Sequence, residues 1–543
     1  MSTPIPVVSS PFLLADSEAV VRRAECAFID IAQGTKYDPL ERLSSLADEI
    51  ARVEAVLRRL KSMQPSLRRD INQRHAPILR VLPPELLSEI FTHCISQEGI
   101  LSARTDSDGI SPLLLGSVCS FWRAIALTTP ALWATPSLYL SKVKLNTQAE
   151  LLEDWIKRSG GLPLMLRLHC GLDSDKRGTN IPEGLFETIL CYANRWKGID
   201  LQLPTQYYEC LTRDQTVFSS LESLIVNPSG GQGDRSHVLN WAGCTPKLTS
   251  ISLWSVYLNT IHVRWDNITR IHAKSFYIDE CLEVIRRAPR LEHCDFYSII
   301  RGDDGHALPT APVDALHLRT LFLVAEFYVN VEAILVHLNA PNLEDFKFDA
   351  AERHLDVTNL KIFTSRCNRS LKKLSIIRSS MSEADVMAIL PAIPSVEDLT
   401  LNVVQAWEGG HVLGRGVIGM LQPDKAGRCM LPHLSQLEYQ GPFSFRWPDI
   451  VGLLVSRSDP ERGRDGDDST HCRAILKCAS IRLRESQDEI DIMDHEQLSL
   501  LRQLAADGLN LTIQAATVDV LQSHPPSPIS PQSHHVTDTQ TKH

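Results

Sequence analysis

Two stretches of this 543-residue chain open like catalytic motifs and then stop short. His495-Glu496-Gln497-Leu498-Ser499 begins as a zinc-hydrolase helix does, with a ligand histidine and a glutamate beside it. Such a site needs a second histidine four residues on, so that two imidazoles share one helical face. Ser499 stands there instead, so no metal ligand is assigned. Leu498, Leu501 and Leu504 recur at helical spacing and read as a core stripe. Gly409-Gly410-His411-Val412-Leu413-Gly414-Arg415-Gly416 is glycine-rich but lacks the lysine of a phosphate loop and the spacing of a dinucleotide turn. It reads as a flexible loop. No Gly-x-Ser-x-Gly elbow occurs. His-Cys neighbours at 93–94, 169–170, 293–294 and 471–472 are separate dipeptides that only the fold could gather. The residues therefore imply no catalytic group, no cofactor and no metal.

Composition narrows the rest. The chain holds 13 cysteines, an odd number, with no Cys-x-x-Cys pair. They read as small buried apolar residues of a reducing compartment, cytoplasmic and/or nuclear. A net charge of −10 argues against nucleic acid or an anionic membrane as main partner. No run approaches the ~18 apolar residues of a membrane helix. Met1-Ser2-Thr3-Pro4-Ile5-Pro6 lacks the basic start of a signal peptide. At this length several domains or a repeat array are expected.

The elements that would position any site fall into three zones. Residues 1–15 read as loose, and residues 16–74 as helical. Asp38 is a plausible N-cap with Pro39 at the first helical position. Leu43, Leu46, Ile50, Val53, Leu57 and Leu60 follow in steps of 3, 4, 3, 4 and 3, a heptad seam that Pro65 should interrupt. Leu67 and Ile71 resume its face. The seam suits either a short coiled coil, with self-association through residues 40–60, or a helix folded onto its own neighbour. Arg58, Arg59, Lys61, Arg68 and Arg69 read as a solvated basic face.

From about residue 160 another rhythm holds: apolar, two residues, apolar, one residue, apolar. It begins with Trp196/Ile199/Leu201, Leu221/Leu224/Val226, Leu248/Ile251/Leu253, Ile268/Ile271/Ala273 and Leu291/Cys294/Phe296. It continues with Leu318/Leu321/Leu323, Leu343/Phe346/Phe348, Leu371/Leu374/Ile376, Val396/Leu399/Leu401 and Leu434/Leu437/Tyr439. Units recur every 20 to 28 residues, with one gap of 38. The last two apolar residues of each unit would face one core from a strand. Pro246, Pro289, Pro341, Pro394 and Pro432 precede five units in the same register and mark where a helix stops. Helical pieces are expected at 281–288, 331–338 and 383–390. Such units must stack on neighbours to bury their apolar faces.

This pattern resembles a leucine-rich-repeat solenoid. That family places Asn or Cys three residues after the last strand position, where this chain has Ser229, Val256, Ile299, Glu326, Ala351 and Ser379. The repeats are thus divergent, and an ordinary αβ domain with similar local units is the alternative. The segment 458–470 reads as an exposed loop, and 516–543 as a disordered Pro/Ser/His-rich tail.

Between helix and repeats lie two apolar blocks. Pro83 and Pro84 can start a helix, with Glu85 in its first turn. Leu86, Leu87, Ile90, Phe91 and Cys94 would share one face. After a polar loop of about 96–111, a second helix would align Leu114, Val118, Phe121, Trp122 and Ile125, ending near Thr129-Pro130. So few helices cannot bury so many large apolar groups, so some should meet a partner, either another chain or the neighbouring repeats.

Leu82-Pro83, then Glu85, Leu86 and Ile90, then Val118-Cys119-x-x-Trp122, then Leu132-Trp133, resemble an F-box in order and type. The resemblance implies an α+β or α/β repeat architecture of five parts. They are 1–15, a helical region 16–74, an all-α F-box module 75–140, a solenoid of strand-helix units 141–515, and a tail 516–543. It implies a substrate-recognition subunit of a Skp-cullin-F-box ubiquitin ligase, not itself an enzyme. Leu82, Pro83, Leu86, Ile90, Val118 and Trp122 would contact a Skp-type adaptor and, through it, a cullin. The repeats would hold a protein substrate whose identity the sequence does not give. The alternative is a non-catalytic interaction scaffold with no ligase link, in which Trp122 and Trp133 pack inward.

Overall fold

A computed structural model describes residues 38–75, 82–95, 111–140, 145–170, 183–212, 216–229, 235–300, 308–326, 329, 331–406, 412–425, 427–458, 472, 474–483, 493–515 and 518–522, with isolated positions between 19 and 29. The expectations for residues 1–15, for the loops at 96–110 and 459–470, and for the tail beyond 522 fall outside these residues, as do Gly409, Gly410 and His411. Two compact units divide the chain, one closing at Trp133 and the other running from Ala134.

The first unit is helical. Helix α1 spans Pro39–His75, and Asp38 Oδ1 accepts from the Leu40 N–H at its start (3.4 Å). It runs unbroken through Pro65, where the sequence predicts an interruption. A proline loses its own hydrogen bond and crowds the carbonyl four residues back, a cost of about 3 kcal/mol, but good helix formers such as Lys61, Met63, Leu67 and Arg68 on both sides carry the turns through it. Three short helices follow: α2 (Pro84–Cys94), α3 (Pro112–Val118) and α4 (Ser120–Thr128), then a 3-10 turn, Pro130–Trp133. The single second helix expected from the sequence is thus two. Cys119 sits extended between them, and its sulfur accepts from the Trp122 N–H to cap α4 (3.4 Å).

The second unit is mixed α/β around one sheet of fifteen strands, from Ser137–Leu140 to Val518–Asp519. Spatial order follows chain order. Neighbours pair in parallel until the last pair, Asn510–Ala515 with Val518–Asp519, which is antiparallel. The register is the one the repeat spacing requires. Ile199 pairs with Leu224, Leu224 with Ile251, Ile251 with Ile271, and Ile271 with Cys294. The ladder continues through Leu321, Phe346, Leu374, Leu399 and Leu437. These residues and their partners two positions on are all buried in one continuous core. Each buried Leu, Ile, Val or Phe among them contributes ~1.5–3 kcal/mol by leaving water.

The five prolines share one local reason. Each follows the first residue of a four-residue turn closed by a backbone bond, as in Leu291 N–H to Ala288 O (3.1 Å) and Leu343 N–H to Ala340 O (3.2 Å). A proline there has its φ preset for the turn. The helical pieces lie at Ile278–Arg287, Glu332–Val336 and Glu383–Ile389, close to the predicted spans.

Arginines reach back to carbonyls of the preceding segment, in each case including one in the last turn of a helix: Val336, Leu421 and Ile156. Arg366 donates to Val336 O and Leu338 O. Arg457, fully buried, donates to Leu421 O, Leu431 O and Met430 O at 2.8, 2.8 and 2.6 Å. Arg195 does the same at Ile156 O and Leu162 O. A cation at a helix C-terminus also suits the helix dipole.

Among the described residues no helix is long and apolar enough to cross a membrane.

Candidate functional site

The motif fragments resolve into structural roles. Asp494 caps helix His495–Ala506, accepting from the Gln497 N–H (2.8 Å) while Gln497 reaches back to Asp494. His495 and Glu496 are exposed first-turn residues, while Leu498 and Leu501 are buried. Gly414 and Arg415 open helix Arg415–Leu421, whose Gly416 and Val417 N–H groups donate to Glu383 Oε1. Among the described residues no three His, Cys, Asp or Glu side chains gather into a metal site. None of the thirteen cysteines forms a disulfide. Cys281, Cys294, Cys367 and Cys472 are buried, but Cys26, Cys94 and Cys191 are exposed, so burial does not explain all of them. Burial pushes the Cys281 and Cys294 thiols well above their usual range, which leaves them unreactive.

Two surfaces remain. The first lies on the short helices. Pro83 stands extended at the N-cap of α2, Pro84 opens the helix and Glu85 occupies its first turn. The face expected to be single divides. Leu87 and Phe91 turn inward at 2% and 1% exposure, whereas Leu86 and Ile90 lie outward at 47% and 44%. Ser111 caps α3, accepting from the Leu113 N–H (3.2 Å). Arg123 Nε donates to Gly116 O (2.8 Å) and ties α3 to α4. The Trp122 ring lies 4.8 Å from that of Phe91 and ties α4 to α2.

The break at Cys119 also splits the second predicted face. Leu114 and Val118 (58%) are exposed on α3, Ile125 is buried on α4, and Phe121 and Trp122 are half-buried. Trp133 is buried, its indole N–H donating to Ala126 O (2.7 Å). Of the six residues expected at an adaptor, Pro83, Leu86, Ile90 and Val118 are exposed, and Leu82 and Trp122 are half-buried. Leu113, at 50%, adds to the exposed apolar set and was not singled out from sequence. Its signal is the Leu113-Leu114-Leu115 run, of which Leu115 alone turns inward.

The second surface is the sheet face away from the core. Across six adjacent strands a trough of about 460 Å³ is lined by Asp200, Ile225, Ser252, Trp254, His272, Lys274, Tyr297 and Val324, among others. Five strand spacings make it roughly 24 Å long. His272 Nδ1 lies 2.8 Å from Asp295 Oδ2, and Lys274 Nζ 5.9 Å from the Trp254 ring centre. Tyr297 meets Phe322 edge-on at 5.2 Å, and Lys347 Nζ sits 4.7 Å over Phe322. Ser255, Ser275 and Ser298 follow directly on Trp254, Lys274 and Tyr297, which are partners in register. All three serines hold positive φ (50°, 61° and 51°). This conformation costs a non-glycine residue roughly 1–2 kcal/mol and collects at functional surfaces.

Asp200 closes one end, 7% exposed and with Oδ1 unpartnered. Burial pushes its carboxyl up to about 6, with Arg167 and Gln202 pulling less strongly the other way. His169 Nε2 stands 3.9 Å from Asp200 Oδ2, at the edge of ion-pair range. Burial, then Arg167, lowers the His169 pKa, so the two form no charge pair at neutral pH. The trough joins aromatic faces, fixed cations and hydrogen-bonding groups.

No protein-family model matches this chain, and no curated protein matches its sequence.

Proposed function

We propose that the chain is a substrate-recognition subunit of a Skp-cullin-F-box ubiquitin ligase. In this reading α2–α4 are the F-box and dock a Skp-type adaptor, which links to a cullin. The sheet unit is a divergent leucine-rich-repeat solenoid whose open face, centred on the Trp254–Tyr297 trough, holds a segment of a substrate protein. The chain supplies no catalytic residue. It raises the effective concentration of a substrate lysine near a reactive thioester.

One observation carries the reading. Leu86, Ile90 and Val118, named as contacts from the motif order alone, stay exposed and apolar while their neighbours Leu87, Phe91 and Ile125 close the interior. Exposed apolar side chains on so small a unit are characteristic of a partner site. Support for the repeat assignment comes from the chain-ordered parallel sheet and its constant register.

Co-purification with a purified Skp-type adaptor tests it. Wild type should bind, and Leu82→Ala with Pro83→Ala should weaken binding by ~1–3 kcal/mol per anchor. A wild type that fails to bind, or a double variant that binds equally well, removes the ligase assignment and leaves an interaction scaffold.

A further inference from the structure

Helix α1 carries a seam that nothing else in the described chain is long enough to cover. Leu43, Leu46, Ile50, Val53, Leu57 and Leu60 alternate in steps of three and four. The helix does not break at Pro65, so Gln64, Leu67 and Ile71 extend the same register to nine positions. Seven of the eight apolar members are exposed, from 39% at Val53 to 66% at Leu43. Leu46 is half-buried, and the adjoining Glu49 is buried.

The spacing discriminates between a core and a seam. A helix facing its own globular core shows a wider stripe at a 3.6-residue period. Two apolar positions in seven, held over four heptads, follow a 3.5-residue period and demand a supercoiled partner helix. Pro65 falls one position after Gln64, off the seam, so its ring does not obstruct a neighbour there. A long helix that lacks one hydrogen bond and has little buried surface draws its stability from packing against another element.

The occupant follows from length. The next longest described helix, Leu145–Arg158, has 14 residues against 37 in α1. It could cover about half of the nine positions. A second α1 matches all of them. Gln64 is the single polar residue of the seam, and one polar layer among apolar ones selects the alignment in which it meets its own copy. Arg52 Nη1 lies 2.7 Å from Glu49 Oε2 on the same helix, which offsets the negative charge flanking the seam. We infer that the protein self-associates into a parallel, in-register two-stranded coiled coil through Leu43–Ile71. This pairing is independent of what the short helices or the sheet bind.

Light scattering on the full chain after gel filtration, at tens of micromolar, tests the inference. Wild type should give twice the chain mass of 60.7 kDa. Leu57→Glu with Leu60→Glu should give 60.7 kDa, with the thermal melt of the sheet unchanged because these side chains are exposed. Ala55→Glu, on the helix face opposite the seam, should leave the doubled mass intact. Gln64→Leu should lower the dissociation constant at least tenfold. A monomeric wild type, a double variant that stays dimeric, or equal disruption by Ala55→Glu overturns the coiled coil. An unchanged constant in Gln64→Leu overturns the in-register alignment.

Discussion

The helical unit and the sheet unit place their apolar residues in opposite ways. In the sheet, both inward positions of every predicted strand are buried, and the outward face is polar with scattered aromatics. In the short helices about half of the large apolar side chains lie outside: Leu86, Ile90, Leu113, Leu114, Val118 and Leu127. Helix α1 goes further, with nearly its whole seam in solvent. The sheet unit has enough core to be stable alone. The helical unit keeps apolar surface that water disfavours, which is the usual mark of a region completed by another chain.

The contrast breaks most visibly if a core residue of the sheet proves dispensable. Phe346 is fully buried, its ring 5.2 Å from Phe363 and 6.3 Å from Phe348. Phe346→Ala should cost about 3–5 kcal/mol in a denaturant melt. A loss below ~1 kcal/mol would mean that the strand can slip or collapse around the gap. Next in size is Arg457→Met, which removes the arginine donor from the Leu421 and Met430 carbonyls and leaves Leu431 O only its bond from the Leu434 N–H. Unpaired buried acceptors cost ~1–3 kcal/mol each, partly recovered by relaxation, so about 2–4 kcal/mol is expected. An unchanged melt would show that water reaches these carbonyls.

Arg457 also marks where the sequence stops being legible. The strand register was readable because alternation fixes which side chains meet the core, and a one-residue slip would turn Phe346 and Phe348 outward. The turn prolines were readable because φ is locked. Units at Leu476/Ala479/Ile481 and Leu164/Leu166/Leu168 escaped notice, since Ala479 is a weak apolar mark and the earlier strand alternates without the two-residue step. The arginines that meet these distant carbonyls were not readable, because their acceptors lie 26 to 39 residues away in chain and are backbone atoms. In the candidate site, motif order picked out exposed residues on α2 and α3. It missed the break at Cys119, where a thiol does the capping work usually given to Ser or Asp. The trough combines residues from six strands, so no local window of sequence contains it.

A smaller effect would sharpen the polar side of the comparison. Asp200 has its carboxyl raised from 3.8 to about 6 by burial. A raised acid binds its proton more tightly when folded, so its penalty is absent below about pH 4, grows through the interval and is complete above about pH 6. Asp200→Asn should therefore stabilise the protein by about 2 kcal/mol at pH 7 and by nothing near pH 4. Chemical denaturation at the two pH values reads this directly. A gain equal at both would place the cause outside the buried charge.

The smallest expected change in stability is on the helical surface, and there smallness is the informative result. Leu86→Ala and Ile90→Ala remove side chains that are nearly half exposed, so each should shift the unfolding free energy by about 0.5 kcal/mol or less. Phe91→Ala, one position from Ile90 and 1% exposed, should cost about 3–5 kcal/mol on the same helix. Adaptor binding should invert the order of concern: the two surface variants, folded and stable, should each lose roughly tenfold in affinity or more. If Leu86→Ala destabilises as strongly as Phe91→Ala, the outward face of α2 is already packed within the chain and is not a docking surface. If it neither destabilises nor weakens binding, the exposed leucine is ordinary surface and the adaptor, if bound, sits elsewhere.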